Sequence, residues 1–227
     1  MVSKAFGSSI GRYNLSDLHA LAEAGHYYKV CNPTPGTGIA MGIQTSFSAT
    51  ANVLMVAVNT SATKLVIPHY LRLINTAVGA TTASSHLAIV TDVINRYSAT
   101  GDDLTASIKN ARSDDSDASA LTVLRFGIVG AAAASAPRTL ARMVLKTQAT
   151  PCFALGDEFK INFLAGQAES KGLLSGTVAT EYAKNAGPIV LAGANHSLLF
   201  HMWNPSNATT APSWEMEFAW FETPKAS

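Results

Sequence analysis

Near the C-terminus two stretches alternate between apolar and polar residues. Ser197-Leu198-Leu199-Phe200-His201-Met202-Trp203 is the first and Trp214-Glu215-Met216-Glu217-Phe218-Ala219-Trp220-Phe221 the second, with residues 204–213 between them rich in Asn, Pro, Ser and Thr. Successive side chains of an extended strand point to opposite faces, so Trp214, Met216, Phe218 and Trp220 share one face while Glu215, Glu217 and Ala219 share the other. The pattern predicts a β-hairpin with one aromatic core face, closing an all-β domain.

From residue 51 onward, short apolar runs recur between turn signals. They predict strands over 53–58, 64–74, 87–95, 121–129, 140–146, 158–163, 189–191, 198–203 and 214–221, with Phe159, Ile161 and Phe163 on one face of the cleanest run. Eight or more strands without a helix long enough for a βαβ crossover predict an antiparallel β-sandwich or barrel, with an eight-stranded jelly roll as the first choice. Pro68 lacks the N–H of a central ladder, so the 64–74 segment is expected at an edge or bent at the proline. The long connections 98–120 and 166–187 exceed hairpin turns, as contact-forming loops often do.

Residues 1 to about 50 read differently. Ser16-Asp17-Leu18-His19-Ala20-Leu21-Ala22-Glu23-Ala24-Gly25 combines a capping serine, good helix formers and a terminating glycine, which predicts one short helix. The flanks are turn-rich and hold too few apolar residues for a core. Two regions follow: an N-terminal arm over 1–50, lying on the main domain or reaching to a neighbour, and a jelly-roll-like sandwich over 51–227.

Composition adds a constraint on the surface. Only 14% of the 227 residues are charged while 48% are hydrophobic, against roughly 25% charged in an average soluble domain. Such a surface is either covered by other subunits or made of small Thr, Ser and Ala side chains. The net charge of +1 supplies no field for nucleic acid or an anionic membrane, and no apolar run reaches the ~18 residues of a membrane span. Residues 1–9 lack the continuous apolar stretch of a signal peptide, which predicts synthesis in a cytosol and two buried thiols at Cys31 and Cys152 over a disulfide between them. The sequons at Asn14, Asn59, Asn195 and Asn207 are the chance product of a sequence rich in Asn, Ser and Thr.

Candidate chemistry is sparse. Asp114-Asp115-Ser116-Asp117 supplies carboxylates a calcium ion would accept, but without the glycine and distal glutamate of an EF-hand loop it reads as a solvated loop. His19, His26, His69, His86, His196 and His201 form no His-x-x-x-His pair, and His196 and His201, five apart, fall on opposite strand faces. There is no nucleophile elbow and no phosphate loop. Glu215 and Glu217 share a face as glycosidase carboxylates would, yet two such residues on an exposed strand usually form a solvated face. Trp203, Trp214 and Trp220 have the flat rings of a sugar platform, but Trp214 and Trp220 belong with Met216 and Phe218 in a core. No catalytic, cofactor-binding or metal-ligating residue is assigned.

The stretch from Gly187-Pro188-Ile189-Val190-Leu191 through Asn195-His196-Ser197 to Asn204-Pro205, then Glu215 to Glu222, resembles virion structural proteins of tailed bacteriophages. Arg96-Tyr97-Ser98 and residues 127–136 are similar too. The resemblance implies a non-enzymatic jelly-roll subunit on the particle surface, made in the host cytoplasm, with the major capsid protein as partner; the low charge and small-residue surface predict that it is a homo-oligomer, a trimer first among the assemblies. A genome-packaging shell protein would need many Lys/Arg-to-phosphate contacts, and the first thirty residues offer only Lys4, Arg12 and Lys29. The tailed-phage major capsid fold needs a long spine helix that no segment here can form. A decoration or cement protein clamping an assembled head is therefore the leading expectation. The alternatives are the receptor- or glycan-binding head of a fibre and a small β-sandwich hydrolase.

Overall fold

The computed structural model describes residues 15–51, 53–79, 84–115, 117–147, 153–164, 170–173, 180–205 and 210–226. Helix α1 (Leu15–Glu23) is followed by strands β1 (Tyr27–Cys31), β2 (Ile39–Ala40), β3 (Val53–Asn59), β4 (Lys64–Ala77), β5 (Ser84–Asp92), β6 (Tyr97–Asp103) and β7 (Lys109–Asn110). After them come β8 (Leu121–Ala131), β9 (Arg138–Thr147), β10 (Glu158–Asn162), β11 (Ser170–Leu173), β12 (Thr180–Asn185), β13 (His196–Trp203) and β14 (Ser213–Pro224).

The strands form two sheets. Sheet I has the order β11-β12-β10-β4-β14-β1-β7, with β2 also on β14, and sheet II the order β6-β8-β3-β13-β5-β9. Eight strands make a nested set: β1 pairs with β14, β3 with β13, β4 with β10 and β5 with β9, all antiparallel. First with last, second with seventh, third with sixth and fourth with fifth is one long hairpin rolled into a two-layer sandwich, the jelly roll the strand pattern predicted. The remaining strands widen its edges, and among the described residues only β10 and β12 pair in parallel.

The C-terminal pair is not a hairpin. Strand β13 lies in sheet II between β3 and β5, and β14 lies in sheet I between β4 and β1. The two strands thus lie in different layers, and their apolar faces meet across the core instead of lying side by side. Phe200 of β13 and Phe218 of β14 pack edge to face at 6.4 Å, a geometry that brings a positive ring edge to a negative ring face. Trp214, Met216, Phe218 and Trp220 all belong to this core, and both tryptophans are fully buried. The alternation was informative about the face each strand buries, but in two facing sheets it is the same as in a hairpin.

The sandwich begins earlier than residue 51. Strand β1, within the segment expected to be an arm, pairs with β14 along Tyr27↔Phe221 to Cys31↔Glu217 and buries Tyr28 and Val30 in the core. Its five residues hid because the outward positions are Tyr27 and Lys29, which blur an apolar alternation. Helix α1 forms as predicted and ends where Gly25 adopts φ 75°. There the Gly25 N–H donates to Ala22 O at 3.0 Å and His26 N–H to Leu21 O at 2.9 Å, the paired bonds of a Schellman cap that only a left-handed residue permits.

Strand β4 is central, not an edge, and it is bent. Its partner β10 pairs only with Tyr70 to Ile74, so Pro68 faces no donor-requiring neighbour on that side. On the other side the register with β14 shifts between Ala219↔Tyr70 and Trp220↔Pro68, leaving His69 as the extra residue of a bulge. The 189–191 run supplies a single bridge, Val66↔Leu191. Both long connections contain strands of their own, β6 and β7 in the first and β11 and β12 in the second.

Candidate interaction surfaces

The outward face of sheet I carries an unbroken line of alternating charges. Lys29 of β1 meets Glu217 of β14 at 2.6 Å, Glu217 reaches Arg72 of β4 at 3.7 Å, and Arg72 grips Glu158 of β10 through two bonds of 2.5 and 2.7 Å. Neighbouring strands place these side chains within reach of one another, and opposite charges there favour one register. The Tyr70 hydroxyl donates to Glu217, and Lys29 and Lys160 lie over the Tyr70 ring. Above the line, the bulge turns His69 outward, where its Nδ1 lies 2.8 Å from the Tyr27 hydroxyl and its ring stacks on Phe221. Burial pushes His69 down to about 4, helped by Lys160 and Lys29.

Glu215 and Glu217 therefore share a face, as the alternation requires, but neither is a free solvated carboxylate. Glu215 accepts the Gly36 N–H, and Glu217 is held by one tyrosine and two cations. Burial alone would raise the Glu217 pKa, and the Lys29 and Tyr70 bonds outweigh it so that the net shift is downward. A glycosidase acid needs the opposite shift. The groove beside them, lined by Cys31, Asn32, Arg72, Glu215 and Glu217 among others, measures about 160 Å³. Small-molecule sites usually run ~300–1,000 Å³.

This arrangement changes what alanine substitutions should do. Phe218→Ala removes a fully buried ring and is expected to cost ~3–5 kcal/mol. Glu217→Ala is expected to cost about 1 kcal/mol, because it strands half-exposed Lys29 and Arg72 and one tyrosine hydroxyl. Urea midpoints of the two variants check the ranking; an unchanged midpoint for Glu217→Ala would mean the charge line contributes nothing.

Part of the outward face of sheet II is covered. Val56, Val58, Val90, Val129 and Leu199 form a second buried apolar cluster on this face, and two loops, 42–51 and 132–137, are tied down beside it. The tie is Arg96, fully buried, which donates to Asp92 at 3.1 Å, Ala132 O at 2.7 Å and Ala49 O at 2.6 Å. Asp92 in turn accepts from the N–H groups of Val93, Ser135 and Ala136 at 2.7, 3.0 and 3.0 Å. Next to this clasp Phe47 packs on His201 and Trp203, His86 stacks on Trp203, and Arg142 lies over the Trp203 ring. Trp203 is thus an outward residue, but with 6% exposure it offers no open platform for a sugar; Phe47, at 47%, is the exposed ring.

Burial lowers the His201 pKa to about 4, with Arg96 adding repulsion. The unfolded chain takes up this proton near the ordinary value of ~6.5, so stability from the neutral ring is present above that pH. It is lost as pH falls toward 4, by roughly 3 kcal/mol in full. Asp92 and Glu217, both shifted down, lose stability in the same direction. His201→Gln should therefore flatten the decline in unfolding free energy between pH 6.5 and 4; an unchanged slope would remove His201 from the acid response.

The other singled-out residues scatter. Asp114 pairs with Arg112 at 2.7 Å and Asp115 and Asp117 are on the same surface loop; among the described residues no three His, Cys, Asp or Glu side chains gather as a metal site. Cys31 is a free thiol but an exposed one, on the last, outward position of β1, not the buried thiol expected, and Cys152 lies outside the described residues. Asn59 is buried and donates to Lys64 O and Leu191 O, which removes it as a glycan acceptor; Asn14 and Asn207 lie outside the described residues. Sequence reading missed Glu222, just past the predicted strand. It is buried and accepts from Ala120 N–H at 2.8 Å, Trp220 Nε1 at 3.0 Å and the Ser119 hydroxyl, tying the 104–120 crossing to β14. The two arginine and glutamate anchors could be found from sequence only by asking which charges fall beside buried runs.

No family model, no curated protein and no solved structure matches this chain.

Proposed function

We propose that this chain is a non-enzymatic virion structural protein that decorates and stabilises a phage head as a homo-oligomer, with the major capsid protein as its partner. The observation that carries the reading is the nested jelly roll whose outward faces are devoted to structure: one to a self-neutralised line of charges, the other to a clasp over a second apolar cluster. Catalysis needs carboxylates poised to exchange protons, and here Glu217 is committed to Lys29 and Arg72 and Glu215 to the Gly36 N–H. Genome packaging is disfavoured further, because Lys29, one of three basic residues in the first thirty, is bound to Glu217. Apolar side chains remain outward on β9, where Leu140 and Val144 are each 43% exposed, as suits a surface that meets other protein.

Co-sedimentation with preassembled undecorated heads, together with imaging of intact particles, tests the reading. Saturable binding and density at fixed lattice positions outside the shell are expected. Density confined to a tail or fibre tip would replace decoration with receptor binding, and absence from the particle would overturn the virion reading.

A further inference from the structure

We propose that copies of this chain assemble head to tail through the two edges of sheet II, β9 of one copy docking on β6 of the next. The inference rests on the homo-oligomer part of the function proposed above and names the surfaces that make it.

Strands β6 and β9 end the sheet, so among the described residues each has one edge of backbone N–H and C=O groups with no ladder partner. Such edges are templates for another strand. Strand β9 is ten residues long and presents Leu140 and Val144 to solvent, an apolar load that an isolated edge strand normally avoids.

Charge selects which edges meet. Strand β9 contains Arg138, Arg142 and Lys146 and no acidic residue, whereas β6 contains Asp102 and Asp103 and no basic one. Asp103 is held by Arg125 at 2.9 Å, which leaves the exposed Asp102 as the outward acid of that edge. A two-fold contact would set β9 against β9 or β6 against β6 and oppose like charges, which destabilises paired strands. Joining β9 to β6 sets a basic edge against an acidic one. That pairing is heterologous, so it closes into a ring or, if the rotation does not close, extends as a filament.

Sedimentation velocity at micromolar concentration tests this on the full chain and three variants: Arg138→Glu/Arg142→Glu, Asp102→Lys, and the chain carrying all three changes. The unaltered protein is expected as a multiple of 23.8 kDa. Each separate reversal should raise the dissociation midpoint at least tenfold while circular dichroism stays that of a β-protein, and the combined chain should reassemble. Rings and filaments both support the contact. A two-fold dimer, a reversal that leaves assembly intact, or a combined variant that fails to recover would overturn it. An unaltered chain that is monomeric would also overturn it, the arginines then acting as guards against edge pairing. Saturable head binding by that monomer would leave the attachment reading standing, and an oligomer that ignores heads would do the reverse.

Discussion

Deleting residues 1–45 is expected to abolish folded protein. The cut removes α1, β1 and β2 and with them Leu21, Tyr28, Val30 and Met41, all buried. At ~1.5–3 kcal/mol for each large apolar side chain the loss is on the order of 6–12 kcal/mol, comparable with the ~5–15 kcal/mol that holds a whole domain. The backbone suffers as well. Tyr27 to Cys31 supply the ladder on one side of β14, and without them Phe221 to Glu217 become an unpaired edge next to the aromatic core. Circular dichroism and solubility of the truncated chain decide the matter. A folded, soluble β-protein would mean that the sandwich closes without its first strand and that the segment serves attachment alone.

That expectation reverses what the segment suggested as sequence, and the reason is physical. A strand is legible when one face is apolar and the other plainly polar, as in β10 and β14. Strand β1 has five residues, and its outward tyrosine and lysine are amphipathic side chains that lie along the surface. Strand β6, Tyr97–Asp103, is exposed along most of its length and carries no apolar signal at all; only its pairing with β8 defines it. The jelly roll itself was legible from strand number and spacing, whereas which strands share a sheet was not. Alternation fixes the buried face of a strand and is silent about the layer to which that face belongs. The charge line shows the same limit. Glu217 was visible as an outward residue, but Lys29, Arg72 and Glu158 are 188, 145 and 59 positions away along the chain, counting 217 − 29, 217 − 72 and 217 − 158, and only register brings them together.

Arg96→Ala is expected to destabilise the protein by ~3–5 kcal/mol, because it leaves a buried carboxylate without its cation. The side chain is buried to 1% exposure, and the same guanidinium also satisfies Ala49 O and Ala132 O. Removing it therefore orphans two carbonyls along with Asp92. Arg96→Lys keeps the charge but offers a single ammonium in place of a planar fork, so it should recover only part of the loss. Asp92→Asn is expected to cost less than Arg96→Ala, since an amide oxygen in the Oδ1 place still accepts from Val93 and Ala136 N–H while the Ser135 and Arg96 bonds at Oδ2 are lost, and the double change should cost less than the two single changes added together. The damage should also be local first. The clasp holds residues 42–51 and 132–137 beside the Val56, Val90 and Leu199 cluster, so amide exchange at Ala131 and Ala132 should accelerate before that of core strands β4 and β14. Denaturant melts of the four chains with residue-resolved exchange provide the check. An Arg96→Ala protein that melts with the unaltered chain would show that the outer face of sheet II is held by its apolar contacts, with the buried ion pair contributing nothing.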